Sequence, residues 1–236
     1  GVQTCALPIS HALHAVGYAM GIQRDGADAA VLACFGDGAT STGDVHEAMV
    51  FASAFGAPVV FLVQNNQWAI SVPVERQSRV PLVDRAIGYG MPGVRVDGND
   101  VLGSLAVIQG ALNRAREGGG PTLVEAMTYR MGPHTTSDDP TRYRSQSELD
   151  DWSPHDPMDR LRKYLVMQGL ADDSYFAGIE SECDALGERI RGAIRGMADP
   201  DPMRMFDHVY AESHLAVEDD RAAMRDYLDR LGEVAR

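Results

Sequence analysis

Asp37, set between Gly36 and Gly38, and Asn66, the second of the pair Asn65-Asn66, are the residues whose types first suggest chemistry. A carboxylate and a neutral amide oxygen both suit a hard cation. An acidic residue in a phosphate loop would repel its ligand unless such a cation stood between them, so Asp37 implies magnesium or a similar ion, with Asn66 as a second oxygen donor. Gly36 and Gly38 would let the backbone approach a ligand or take positive φ. A further candidate is His134, whose imidazole can give or take a proton near neutral pH. Taken alone, Gly-Asp-Gly can be only a tight turn, Asn65-Asn66 only a strand terminus, and His134 only a solvated loop histidine.

The elements that must position these groups follow from the apolar pattern. Ala30 to Phe35 and Pro58 to Val63 are short apolar runs without polar alternation, which predicts parallel strands buried on both faces. Between them Val45, Ala48, Met49, Ala52 and Phe55 recur at helical spacing, and Ser41 followed by Asp44 offers a cap. The unit is strand, glycine-rich turn, helix, strand. The loop leaving the first strand then lies where open parallel sheets bind ligands, and the helix start favours phosphate.

The remaining pattern extends this α/β unit. His14 to Gly21 predicts a helix packed closely on the sheet, with His14 a helix histidine rather than a ligand. The stretch from Val72 to Arg79 is too rich in breakers for an element. A short helix is expected over Leu82–Gly88 and a strand over Gly93–Val96. Asp97 to Asp100 is turn and cap chemistry before an amphipathic helix marked by Val101, Leu102, Leu105, Ile108 and Leu112, which Gly118 to Pro121 stops. Thr122 to Thr128 reads as a strand holding Glu125 as a paired structural carboxylate. Arg130 to Ser145 has no periodic apolar residues and predicts an exposed loop, in which Arg130, Arg142 and Arg144 with Asp138 and Asp139 provide pairs that could order it once cofactor or a partner chain is present. From His155 the chain turns helical, with Asp156-Pro157 opening a helix that Gly169 ends. Further helices are expected over 173–195 and 217–231 on either side of the Asp199 to Pro202 break. Met205 to Tyr210 reads as a connector pressed against the body or a partner.

The chain has 236 residues and 44% hydrophobic content, ample for a core. Its 21 basic and 34 acidic residues give −13, which disfavours nucleic acid and anionic membranes as partners. No apolar run reaches membrane-spanning length, so the cytoplasm is the expected compartment. Three cysteines without paired spacing form neither a disulfide framework nor a zinc knuckle, and Cys34 is expected to be an inert core thiol.

The span from Gly-Asp-Gly to Asn-Asn resembles the thiamine-diphosphate signature. Four stretches narrow the resemblance: Asn65 to Ser71 (NNQWAIS), Arg95 to Asp100 (RVDGND), Glu125 to Arg130 (EAMTYR) and Gly132 to Arg144 (GPHTTSDDPTRYR). Together, from about His14 to about Tyr210, they resemble the alpha subunit of the decarboxylating component of a 2-oxo acid dehydrogenase complex, the branched-chain type most of all. The resemblance implies an α/β thiamine-diphosphate-binding fold, a parallel sheet flanked by helices, incomplete at the N-terminus and followed by a helical C-terminal tail. It implies thiamine diphosphate and magnesium, held between this chain and a beta subunit in an assembly of two alpha and two beta chains. The acyl group would pass to a lipoyl group on the acyltransferase core, and the substrate would be a 2-oxo acid. Carried over residue by residue, Asp37, Asn66 and the Trp68 carbonyl would hold magnesium. Gly36, Asp37, Gly38, Ala39, Asn66, Trp68, Ile70 and His134 would contact the cofactor, and His134 would be catalytic.

Ser10 and His11 stand where the family has Thr-Gln, a departure in its potassium-binding region. Thr135 and Ser145 stand at positions that are regulatory serines in animal relatives; phosphate there would add charge beside Asp138 and Asp139. Residues 1–9 have no counterpart in that family and back-translate in frame to a sequencing-adapter oligonucleotide, so they are expected to be non-native and the chain a fragment. The expected division is 10–154 for the α/β domain and 155–236 for the helical region. Two alternatives stand beside this reading. The pyruvate-specific branch carries similar motifs. A receiver-like signalling module also places an acid with magnesium at a strand end, but the runs ending at Val63, Val96 and Thr128 are not followed by the lysine it needs.

Overall fold

The structure is a computed structural model that describes residues 10–234; the expectation for residues 1–9 lies outside them. The chain forms two compact units that divide between Ala171 and Asp172. In the first unit, helix α1 (Ser10–Asp25) leads to strand β1 (Val31–Gly36), a 3-10 turn over Asp37–Ser41, helix α2 (Gly43–Phe55) and strand β2 (Val59–Asn65). A small hairpin of β3 (Trp68–Ala69) and β4 (Val72–Pro73) runs into the single turn α3 (Val74–Gln77). Then come α4 (Arg85–Tyr89), β5 (Gly93–Asp97), α5 (Val101–Arg114), β6 (Thr122–Met127), α6 (Gln146–Trp152) and α7 (Pro157–Met167).

The main sheet is parallel throughout, in the order β1-β2-β6-β5. Its register sets four strand ends level: Gly36 lies opposite Gln64, Gln64 opposite Ala126, and Ala126 opposite Val96. The next residues along, Asp37, Asn65, Met127 and Asp97, therefore emerge side by side at the carboxyl edge, the expected ligand-binding edge of an open parallel sheet.

Both faces of the sheet are packed. Ala12, Val16 and Ala19 of α1 and Val45, Ala48, Met49 and Ala52 of α2 meet Ala33, Phe35, Val59, Phe61, Val63 and Leu123 on one side. On the other, Ala111 of α5, with Val107, Ile108 and Leu112, meets Val60, Leu62, Val124 and Ala126. The strand expectations hold for β2, β5 and β6, but β1 differs. It is an edge strand, and α5 covers its neighbours rather than itself, so Leu32 remains 40% exposed. Cys34 is likewise exposed, not the core thiol expected, although partial burial pushes its thiol pKa up.

Local details depart from the pattern in four places. The cap of α2 is Thr42, not Ser41, and its hydroxyl donates to the Ala39 carbonyl instead of bonding the helix. Phe55 stacks on Phe51 outside the core. Val101, Leu102 and Leu105 are half exposed at the start of α5, whose N-cap is the expected Asp100. The breaker-rich stretch after Trp68 forms β4 and α3, because a two-residue bridge and one turn of helix suffice around Pro73. His14 is exposed on α1.

The helix from Asp156-Pro157 packs within the first unit, with Arg160 of α7 paired to Asp97 at 2.8 Å. The second unit holds α8 (Asp173–Arg195), a 3-10 turn over Pro202–Phe206 and α9 (Leu215–Val234), as the charged helical pattern predicts. Arg221 bonds Asp207 at 3.1 Å and lies over the Phe206 ring, tying α9 to the connector. Among the described residues no helix is long and apolar enough to cross a membrane.

Candidate cofactor and metal site

Asp37 follows the last residue of β1 and is 1% exposed. Its carboxylate accepts from Gln77 Nε2 at 2.8 Å, while the Asn66 backbone N–H nearby donates to the Gln64 carbonyl at 2.9 Å. No ion pair among the described residues includes it. Burial pushes its pKa above the ordinary carboxylate range; the Gln77 amide, its own N–H, the Arg130 charge and the Asn66 N–H each offset this in part. A buried carboxylate supported mainly by neutral donors fits a cation ligand, because a cation would supply the missing charge. Among the described residues no group of three His, Cys, Asp or Glu could hold a metal. Any ion here must therefore draw on amide and carbonyl oxygens as well.

Those oxygens come from the turn after β2. Asn65 is fixed by two bonds: its Nδ2 donates to Glu125 Oε1 at 2.7 Å, and its Oδ1 accepts from the Gln67 N–H at 3.1 Å. Asn66 Oδ1 accepts from the Trp68 N–H at 3.1 Å and keeps a second lone pair. Gln67 and Ile70 both take left-handed backbone conformations, at φ 70° and 56°. This turns the Trp68 and Ile70 carbonyls toward β6, where one guanidinium serves both. Arg130 Nη1 lies 3.3 Å from Trp68 O, and Nη2 lies 2.6 Å from Ile70 O. The Trp68 carbonyl thus already faces one cationic donor, with one lone pair remaining for an ion.

The glycines act differently from one another. A Cβ on Gly38 would stand 2.8 Å from the Ala69 Cβ, so the absence of a side chain there lets the loop lie against β3. Gly36 has open space around it, and neither residue takes positive φ, contrary to one of the two uses expected of them. Ala39 is buried beneath the same 3-10 turn, which Thr40 closes by donating to the Asp37 carbonyl at 2.6 Å. The first turn of α2 receives no side-chain cap, leaving its N–H groups available to an anion.

Arg130 also organises the loop that carries His134. Its Nη2 donates to Tyr143 Oη at 2.9 Å, and Tyr143 Oη donates to Asp138 Oδ2 at 2.6 Å. Asp138 also accepts from the His134 N–H at 2.7 Å. These bonds, with the Arg130 charge, hold the Asp138 carboxyl below its ordinary range. Arg144 donates to the Arg130 carbonyl and, at 2.6 Å, to the Met131 carbonyl. The loop is therefore closed on itself by charge-assisted bonds without cofactor or partner, with Tyr143 between Arg130 and Asp138, and Arg130 is buried. His134 is half buried, with Nδ1 3.4 Å from Arg130 Nη1. A guanidinium only donates, so this contact places the ring proton on Nε2.

The sequence-predicted residues thus gather at the ends of β1, β2 and β6. Gln77, the tie from Glu125 to Asn65, and Tyr143 as the link that completes the clasp from Arg130 to Asp138 were missed. Only the close spacing of Arg130, Tyr143 and Arg144 to His134 hinted at the clasp. Two clefts, of about 440 Å³ between Asn99–Leu102 and Arg160–Met167 and about 460 Å³ beside Met127 and Trp152, lie elsewhere. Asp37 lines neither.

Comparison with known proteins agrees with this arrangement. The family described as Dehydrogenase E1 component matches residues 4–195. The 3-methyl-2-oxobutanoate dehydrogenase subunit alpha of Mycobacterium tuberculosis is 50% identical over 232 residues, covering 96% of this chain and 63% of that protein. The pyruvate dehydrogenase E1 component subunit alpha of Acholeplasma laidlawii is 39% identical, over 82% of this chain and 57% of its own length. The 2-oxoisovalerate dehydrogenase subunit alpha of Bacillus subtilis is 38% identical, over 84% and 61%. The chain therefore spans about three fifths of the length of these relatives. With the match extending across the sheet, the loop of His134 and much of the helical region, the chain belongs to the Dehydrogenase E1 component family.

Proposed function

We propose that this chain is part of the alpha subunit of a thiamine-diphosphate-dependent 2-oxo acid dehydrogenase that acts on a branched-chain 2-oxo acid in the cytoplasm. The observation that carries the reading is Asp37: a buried carboxylate without an ion-pair partner among the described residues, held by the neutral Gln77 amide at the carboxyl edge of a parallel sheet. Asp37, Asn66 Oδ1 and the Trp68 carbonyl would hold magnesium, and the open first turn of α2 favours the charge of the diphosphate. Gly36, Gly38, Ala39 and Ile70 would shape the cofactor's bed. When bound, thiamine diphosphate supplies the nucleophilic carbon and the electron sink for decarboxylation.

The chain's own residues position and protonate. Arg130 holds the Trp68 and Ile70 carbonyls in place and sets His134 with its proton on Nε2, the atom from which it could pass to substrate or to the lipoyl sulfur. Overall, the bond between the carboxylate and the 2-oxo carbon breaks, carbon dioxide leaves, and the acyl group reduces and acylates a lipoyl dithiolane with uptake of one proton. A beta subunit, in an assembly of two alpha and two beta chains, and a lipoyl acyltransferase are the partners this requires. The 50% identity to a 3-methyl-2-oxobutanoate dehydrogenase subunit favours branched-chain substrates over pyruvate, which the 39% identical relative keeps as the second reading.

The test is to assemble the full-length chain with its beta subunit and measure carbon dioxide release from 3-methyl-2-oxobutanoate and from pyruvate, with and without thiamine diphosphate and magnesium. The expected result is cofactor-dependent release, faster from the branched acid. Faster release from pyruvate would reverse the substrate assignment, and release that needs neither cofactor nor ion would overturn the reading.

A further inference from the structure

Gln77 has no assigned part in this site, yet it makes the side-chain bond that fixes Asp37. It ends the single turn α3, and its carboxamide is oriented by two neighbours. Nε2 donates to Asp37 Oδ2 at 2.8 Å, with the Val72 carbonyl a second acceptor at 3.5 Å; Oε1 accepts from Ser41 Oγ at 3.4 Å. The amide could not simply be reversed, because Nε2 would then meet a hydroxyl and Oε1 a carboxylate. One oxygen of Asp37 is thus already engaged by a directed donor.

This bears on which ion the site accepts. Calcium commonly takes carboxylates through both oxygens and tolerates six to eight ligands, whereas magnesium requires a tighter octahedron in which carboxylates bind through one oxygen. For two-oxygen ligation Asp37 would have to turn its carboxylate plane and give up the 2.8 Å bond from Gln77. We propose that Gln77 is a positioning residue that restricts Asp37 to one-oxygen ligation and thereby favours magnesium over calcium. The proposal rests on the reading of Asp37 as a metal ligand.

The test uses the full-length chain with its beta subunit and titrates thiamine diphosphate calorimetrically at a series of magnesium or calcium concentrations. Wild type is compared with Gln77→Met, which keeps the length and loses the donor, and with Gln77→Asn, which keeps the amide and loses the reach. Both variants should lower the ratio of magnesium to calcium affinity on the order of tenfold, the scale on which a group bonded to a metal's ligand tunes binding. The ratio is its own control, since loss of folded protein lowers the number of sites for both ions alike and leaves the ratio of their affinities unchanged. An unchanged ratio in the two variants would overturn the role of Gln77 while leaving the metal site intact. Wild-type diphosphate binding that needs no divalent ion would instead overturn the metal site and this inference with it.

Discussion

Glu125→Gln is the substitution whose cost the structure allows to be worked out most fully. Glu125 is buried in the middle of β6 and accepts from Asn65 Nδ2 at 2.7 Å and from the Val83 N–H at 3.0 Å. Arg95 Nε lies 3.7 Å away on the adjacent strand, with a side chain 46% exposed against 1% for Glu125. The substitution keeps one acceptor oxygen and turns an amide NH₂ toward the other donor, which is left unsatisfied at about 1–3 kcal/mol. Loss of the solvent-screened attraction to Arg95 adds at most about 1 kcal/mol. The sum is about 1–4 kcal/mol, read as a lower denaturant midpoint at unchanged slope in the full-length protein. Arg95→Met should cost under about 1 kcal/mol, because its guanidinium is distant and already hydrated. If Arg95→Met proves the costlier change, Glu125 serves the ion pair rather than the Asn65 turn, and the reasoning is refuted.

Three further outcomes follow from the same geometry. Burial holds the Asp37 pKa above its unfolded value, so the stability linked to its protonated form is present below about pH 4 and lost as pH rises through the folded value; without divalent ions, Asp37→Asn should therefore raise the thermal midpoint at pH 7, and equal midpoints would contradict this. Asp138 is shifted the other way, so its contribution is present above the ordinary carboxylate value and fades as pH falls through the lower folded one. Tyr143→Phe removes the hydroxyl joining Arg130 to Asp138 and should speed tryptic cleavage at Arg142 or Arg144 about fivefold at pH 7, matching one net hydrogen bond of about 1 kcal/mol. Gly38→Ala should cost about 1–3 kcal/mol by overpacking against Ala69, whereas Gly36→Ala, with open space around it, should stay within about 0.5 kcal/mol in the same melts.

What was legible in the sequence was whatever a local pattern determines. β2 opens with a continuous apolar run because it is an interior strand, and α2 shows its buried face at helical spacing. The exposed side of β1 was hidden, since its composition is that of an interior strand and only the order β1-β2-β6-β5 makes it an edge. Asp37 and Asn66 could be named because a carboxylate and an amide at successive strand ends form a recurrent spacing. Gln77 could not, because it reaches Asp37 across forty positions from a segment whose proline suggests no element. The main-chain partners of Arg130 were hidden for a related reason. A charged residue among Gly, Pro and Asp reads as solvated, and nothing in its neighbourhood shows that its partners are main-chain carbonyls sixty positions earlier.

The left-handed residues of the turn after β2 have a consequence for how the site comes into being. Gln67 and Ile70 each carry a conformational cost of about 1–2 kcal/mol for a non-glycine residue, and Ile70 is 58% exposed and recovers little by burial. The bonds that offset this cost come from Glu125, Thr128 and Arg130, all of which lie on or just beyond β6. The turn is thus unfavourable until some sixty further residues have been added and β6 has inserted between β2 and β5. On the ribosome, β1, α2 and β2 can associate as soon as they emerge. The turn after β2 cannot set until Arg130 has left the exit tunnel and docked, so in a shorter nascent chain the backbone of the candidate site is not yet fixed.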